Sequence, residues 1–288
     1  MSKILKNLKQ LFQKTNPARI IVFVIFALWC FSFLLGFGWL FFASLKDFMD
    51  LYNNPIGFPT VFHWENYVKA FEVLGSYDIP FFAMLFNSLW FTFGSVFINI
   101  SVVVMAAYAL GNFKFFGRNF IVAFIVIIMM IPIYGTGAAA LKMYMRLRIY
   151  NNPAFLIINA SALSGTTLII MTFFQTLSPA YEEAARMDGA GMLTVFLKIH
   201  LPMVLPSVSA MVLMSLIGSW NNAETSIYYL PDYPTIAAGL YQFENFGDVR
   251  FNKPALYAGY LMCAIPPIVL FSVFRDKVMT SVTIGGIK

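Results

Sequence analysis

The sequence predicts an all-α membrane protein with six transmembrane helices and both termini on the cytoplasmic side. Three observations carry this. Of the 288 residues, 60% are hydrophobic and only 11% charged, against about 25% charge in a soluble domain, and the mean hydropathy is +0.75. The charges are also segregated, leaving long uncharged stretches at 20 to 45, 79 to 113, 119 to 141, 149 to 181, 199 to 223 and 254 to 274. Each stretch holds the roughly 20 residues that a spanning helix needs. Finally, the stretches are continuously apolar instead of alternating, which favours helices over barrel strands in a medium that cannot satisfy open backbone groups.

Within those stretches the expected spans are about 20–43, 82–108, 120–140, 155–177, 202–222 and 255–274, with tails at 1–19 and 277–288. The uncharged runs 51 to 64 and 233 to 243 are too short and too rich in Pro, Gly and Asn to cross, and read as loops. The first span is also too long for the apolar core of a cleaved signal peptide. Lys3, Lys6, Lys9, Lys14 and Arg19 precede it without an acid, which places the N-terminus in the cytoplasm by the positive-inside rule. In that topology the cytoplasmic segments carry 12 basic and 4 acidic residues, and the external ones 7 and 9. One external loop runs against the sum: Lys142, Arg146 and Arg148 have no neighbouring acid. That patch suits an acidic binding-protein surface or an anionic sugar. For the net charge of +6 as a whole, anionic lipid headgroups are a better counter-charge than nucleic acid, since no basic run is interleaved with polar residues.

Several functions are excluded by what the chain lacks. Cys30 and Cys263 lie far apart in apolar runs and offer neither a disulfide framework nor a metal site. All Asp, Glu, Lys and Arg residues fall outside the expected spans, so ion-coupled transport loses its usual intramembrane carboxylate or lysine. No phosphate-binding G-x-x-x-x-G-K-[ST] run is present, and His63 and His200 lie on opposite sides of the membrane in this topology, so no catalytic residues are assigned. Energy for any work must come from a partner.

The spans do hold neutral polar residues: Asn87, Ser88, Asn99, Ser101, Asn159, Ser161, Ser164, Thr166, Thr167, Gln175, Ser215, Ser219 and Asn221. These either hydrogen-bond neighbouring helices or line a path for an uncharged, hydroxyl-rich solute. Asn87, Trp90, Trp220 and Asn221 are the candidates for the second role, with Tyr108 a further aromatic face. The bland reading of a Trp near a span end is an interfacial anchor.

The most informative segment is SPAYEEAARMDGAGMLTVFLKIHLPMVLP, residues 178 to 206. Ser178 can cap a helix, Pro179 suits its first position and Glu182 and Glu183 sit at the positive end of its dipole. A helix from about Pro179 to Asp188 is expected, then a left-handed turn at Gly189 and Gly191, a second short helix from Met192 to Ile199, and Pro202 opening the next span. Small Ala184 and Ala185 would admit a close neighbour.

This segment carries the signature E-A-A-x3-G-x9-I-x-L-P at every position: Glu183, Ala184, Ala185, Gly189, Ile199, Leu201 and Pro202. It resembles the loop of binding-protein-dependent ABC importer permeases. FNSLWFTFGS at 86 to 95, GNFKFFGRNF at 111 to 120, SLIGSWNNAE at 215 to 224 and the tail SVTIGGIK at 281 to 288 look like carbohydrate permeases of the maltose-transporter type, specifically the six-helix, MalG-like member with its type I fold. The resemblance covers most of residues 60 to 288. The chain departs at Ser219, Trp220, Asn221 and Asn222, where S-W-N-D/E-F is commoner, which leaves substrate identity open.

The resemblance implies a subunit of the bacterial plasma (inner) membrane that forms half of a pore with a second permease. Two ATP-binding subunits would power it, and an extracytoplasmic solute-binding protein would feed it. ATP and Mg would belong to the ATPases, with no cofactor or metal on this chain. Loop 178–200 would be the coupling helix, with Glu183, Ala184, Ala185 and Gly189 meeting the ATPase and Arg186 and Asp188 beside them. The external loops 44 to 80 and 224 to 253, rich in Tyr, Asn and Pro, suit contact with a soluble partner or serve equally as solvated connectors. A permease for a non-sugar solute, a membrane-embedded enzyme and an assembly protein are the alternatives.

Overall fold

The computed structural model describes residues 17–74, 79–131, 135, 137–246 and 249–284. Expectations for residues 1–16 and 285–288 of the tails lie outside these. The described residues are helical, without a strand among them, and they divide into two units, residues up to 70 with 248–261, and residues 71–247 with 262 onward.

In the first unit, α1 (Pro17–Ser44) is the most apolar helix, and none of its most hydropathic window is buried. A helix that is apolar all round and uncovered has lipid as its solvent. Beyond it, α2 (Phe48–Asn53) and the start of α3 (Glu65–Leu74) close a polar knot on the turn 44–46. Asn66 Nδ2 donates to the carbonyls of Ser44 and Lys46 at 2.9 and 2.8 Å. The fully buried Lys46 ammonium donates to the Asn54 carbonyl. Trp39 Nε1 donates to Pro55 O at 2.7 Å. On the exposed side, His63 Nδ1 lies 2.6 Å from Glu65 Oε1, a contact that holds the Glu65 carboxyl below its ordinary range.

The second unit is built around α4 (Phe81–Asn112). Against it pack α7 (Phe155–Ile158), α8 (Gly165–Gln175), α11 (Leu201–Trp220) and α13 (Ile236–Phe246). Val96, Ile100, Val103 and Ala107 of α4 meet Ile170 and Phe174 of α8, Val204 and Val208 of α11, and Ile125 of α5 (Arg118–Met130). Near the end of α4 the approach to α8 is close at Gly111. A methyl group on Gly111 would lie 3.1 Å from Phe174 Cβ and 3.3 Å from the Met171 carbonyl oxygen.

Among the described residues, four helices are long and apolar enough to cross: Ala18–Ser44, Phe81–Asn112, Met192–Trp220 and Lys253–Val273, the last within α14 (Val249–Ile284). The expected spans 120–140 and 155–177 are not continuous helices. α5 has 13 residues, about 20 Å at 1.5 Å per residue, against about 30 Å of hydrocarbon. It stops because Ile131 precedes Pro132 and takes an extended conformation (φ −89°, ψ 110°), as proline imposes on its predecessor. The fourth stretch is split into α7 and α8 by residues 159–164. Ser164 restarts the helix by accepting from Thr167 N, Thr167 Oγ1 returns a bond to Ala162 O at 2.6 Å, and Asn99 Oδ1 of α4 accepts from Ser161 N. These polar residues therefore serve the backbone of the break.

The loop expected at 141–153 instead contains α6 (Gly137–Arg146). Its buried Tyr144 forms an aromatic cluster with Phe155 and with Tyr229 of α12 (Glu224–Tyr229), ring centroids 5.0–5.4 Å apart. The helix ends in a Schellman turn: Ile149 N–H donates to Tyr144 O at 3.0 Å and Arg148 N–H to Met145 O at 3.2 Å. Arg148 occupies the left-handed position (φ 57°) that glycine ordinarily fills. Arg148→Gly should therefore stabilise the fold by about 1 kcal/mol. A thermal midpoint in detergent that fails to rise would show that the arginine is not strained there.

Candidate coupling loop and translocation path residues

After α8 the chain turns at Ser178 (φ −67°, ψ 130°) into α9 (Pro179–Met187) with proline in its first turn. The Ser178 hydroxyl makes no capping bond, but its carbonyl accepts from Tyr181 N at 3.2 Å. Glu182 and Arg186 form an i,i+4 ion pair, Oε1 lying 2.7 Å from Nη2 and 2.9 Å from Nε. This pair leaves Glu183 as the uncommitted carboxylate of the helix: it is exposed and has no hydrogen bond or ion pair to the described residues. Ala184 and Asp188 are exposed beside it. Ala185 is not part of that outer face. It is buried, so its methyl group lies against the chain's own atoms.

α9 closes with the same Schellman geometry as α6. Ala190 N–H donates to Ala185 O at 2.9 Å and Gly189 N–H to Arg186 O at 3.0 Å. Here a glycine takes the left-handed position (φ 78°). Gly191 does not share it; at φ −72°, ψ 162° it is the extended cap of α10 (Met192–Val195).

The second short helix does not end before the next span. α10 runs through a π turn, Phe196–His200, into α11 as one path, Met192–Trp220. Pro202 explains the wide turn. In a regular α-helix its ring would crowd the carbonyl of Lys198, four residues back, and an inserted π turn relieves such crowding. Leu201 N–H accordingly reaches Phe196 O, five residues back.

His200, the variable position of the signature, is buried at this joint. Asn112 Nδ2, on the last turn of α4, donates to its Nδ1 at 3.1 Å. Tyr108 lies 5.5 Å away and packs on Phe113, Phe174 and Phe196. A cavity of about 260 Å³, lined by Asn112, Gln175, Ser178, Glu182 and His200 among others, separates this joint from the start of α9. Sequence reasoning missed His200 and Asn112. The signal was the place of His200 between Ile199 and Leu201.

The four path candidates are far from the loop in chain order and mostly committed to internal bonds. Asn87 Nδ2 donates to Pro234 O at 3.1 Å, and its Oδ1 accepts from Trp90 Nε1 at 3.1 Å. Trp90 meets Tyr233 edge-on at 5.7 Å. Trp220 is 4% exposed and donates to Cys263 O at 3.2 Å. Asn221 is exposed at the end of α11 and bonds back to Ile217 O. Asn87 and Trp90 thus pin residues 233–234, and the adjacent Ser88 Oγ accepts from the Ile236 N–H at 2.8 Å.

Residues 100–282 match the family model described as binding-protein-dependent transport system inner membrane component, which includes every position of the signature. The chain belongs to that family. This permease is accordingly a multi-pass component of the inner membrane and not an enzyme. It is 26% identical over 255 residues to the sulfoquinovosyl glycerol transport system permease protein of Agrobacterium fabrum, covering 87% of each chain. It is 28% identical over 252 residues to the arabinooligosaccharides transport system permease protein of Halalkalibacterium halodurans, covering 85% of this chain and 88% of the relative. Its fold is that of a chain in the crystal structure of a bacterial ABC transporter involved in the import of the acidic polysaccharide alginate. The TM-score is 0.72 at 22% identity, with 91% of this permease and 98% of that chain covered.

Removing the Ser88 hydroxyl would leave the buried Ile236 N–H without an acceptor, which costs about 1–3 kcal/mol. Ser88→Ala should therefore lower the thermal midpoint of the purified permease, and an unchanged midpoint would deny α4 its hold on the 233–236 segment.

Proposed function

We propose that this permease is one half of the translocation pore of an ATP-driven, binding-protein-dependent importer of sugars or oligosaccharides. It would cross the membrane six times with both termini inside, the broken stretches around α5 and α7–α8 counting as crossings. A second permease would complete the pore. Two ATP-binding subunits would hold ATP and Mg and dock on α9, and a solute-binding protein would deliver the solute from outside. The carbohydrate reading draws support from the relatives that transport sulfoquinovosyl glycerol and arabinooligosaccharides over nearly their whole length.

One observation carries the coupling reading: the E-A-A of the signature lies on α9, where Glu183 is exposed and has no side-chain partner among the described residues. An exposed, unpaired carboxylate is free to meet a cation on another protein. Glu182 and Arg186 satisfy each other and hold the helix, so they contribute less to docking. Asp188 remains available. Ala184 admits close approach, whereas Ala185 and Gly189 act from within, Ala185 by packing and Gly189 by letting the chain turn back.

The linkage onward is His200 and Asn112. Nucleotide-driven movement of the ATPases would shift α9, and the Met192–Trp220 path, bolted to α4 at His200, would carry that shift into the core. Asn221, exposed at the far end and bonded back to Ile217 O of its own helix, is the path candidate most open to solute. Reversing the charge at Glu183 turns attraction into repulsion at the docking face. Glu183→Lys should reduce solute-stimulated ATP hydrolysis by the reconstituted complex at least tenfold, an effect of about 1.4 kcal/mol or more, with the isolated permease still folded. Undiminished stimulated hydrolysis would remove α9 from the docking role.

A further inference from the structure

The cationic end of α6 is the surface for which neither the core nor the coupling loop has a use. Lys142, Arg146 and Arg148 are exposed and make no ion pair with the described residues. Asp232, the acid that reaches this loop, is turned onto Asn151, which holds both its carboxylate and its backbone N–H. Between and beside the cations stand Met143, Met145 and Leu147, 47%, 50% and 56% exposed.

Helical spacing makes this an ordered face. Lys142 and Arg146, four apart, form its centre; Met145 lies to one side and Met143 and Leu147 to the other, while buried Tyr144 anchors the opposite side. Arg148 is then held at a position where its backbone is strained (φ 57°). The analogous turn of α9 uses glycine at this point. Strain retained in an exposed cation, where relief is one substitution away, points from structure toward function.

Position identifies the counter-charge. Ile127, Met129, Met130 and Ile131 at the end of α5 are exposed apolar residues, a surface suited to the acyl region of a membrane. α6 begins only six residues after Ile131, which brings it to the edge of the bilayer, where phosphate groups and the first methylenes meet.

We propose that the C-terminal part of α6 and the turn after it dock an anionic phospholipid, its phosphate on Lys142, Arg146 and Arg148 and its upper acyl chain against Met143, Met145 and Leu147. Cations there snorkel to the headgroups while the thioether and leucine side chains enter the apolar boundary. Anionic headgroups also meet the charge demand of a basic loop with no acid of its own. The inference rests on α5 running through the bilayer, as proposed above; it does not depend on the coupling role of α9.

The test uses the full transporter reconstituted in vesicles, with a bimane fluorophore on Met145→Cys and with Cys30 and Cys263 replaced by alanine. Brominated phosphatidylglycerol should quench the probe at least twofold more than brominated phosphatidylcholine at equal mole fraction. In the variant carrying Lys142→Gln, Arg146→Gln and Arg148→Gln the two lipids should quench equally. Arg148→Gly separates the roles of the strained residue, since it should raise thermal stability yet weaken the phosphatidylglycerol preference. Equal quenching by both lipids in the unaltered protein, or a preference that survives the triple substitution, would overturn the proposal. So would a triple variant that loses transport of an acidic oligosaccharide in purely zwitterionic vesicles, because the patch would then serve a solute or protein partner.

Discussion

A backbone in hydrocarbon must find all its hydrogen-bond partners within the protein, and the second unit of this structure follows from how α4 meets that demand. Along one face, α4 supplies the apolar stripe of Val96, Ile100, Val103 and Ala107 for neighbouring helices. Along its length it also supplies polar side chains where other segments break helix: Ser88 for the start of α13, Asn99 for the gap before α8, Asn112 for the joint before α11. A long, continuous helix thereby allows its neighbours to be irregular. This division of labour explains why hydroxyl and amide groups occur in spans that contain no charge. Most of them are occupied with the backbone, and a solute path has fewer free candidates than the sequence suggests.

The two Schellman turns show how similar local geometry supports different ends. In α9, glycine closes the helix without strain and the chain returns at once toward the core. In α6, the same bonds are made with an arginine in the left-handed position. The first turn exists to position a helix; the second keeps a charge on a surface.

How much of this was legible in the sequence depended on the range of the interactions. The all-helical membrane class followed from segregation of charge, a property of long windows. The limits of α9 were readable to within a residue, since Ser178, Pro179 and Gly189 act locally on the backbone. The breaks in the third and fourth stretches were missed because counting uncharged residues ignores the effect of Pro132 on Ile131 and the capping by Ser164. What the sequence could not reveal is tertiary. Asn87 finds its partner 147 residues away and Ser88 finds Ile236 148 residues away, and no spacing rule connects them. The inward turn of Ala185 is a similar case, because a nine-residue helix does not say which side of it the core will occupy.

The π turn at Phe196–His200 has a consequence for how the helix sits in lipid. By joining α10 to α11 without a break it makes a helical path of 29 residues, about 43 Å of rise at 1.5 Å per residue, where about 30 Å of hydrocarbon needs crossing. The surplus must be absorbed by tilt or by projection into water. A rod with length to spare can lean through several angles and still span, so this helix can pivot without dragging an unpaired peptide group into the acyl chains.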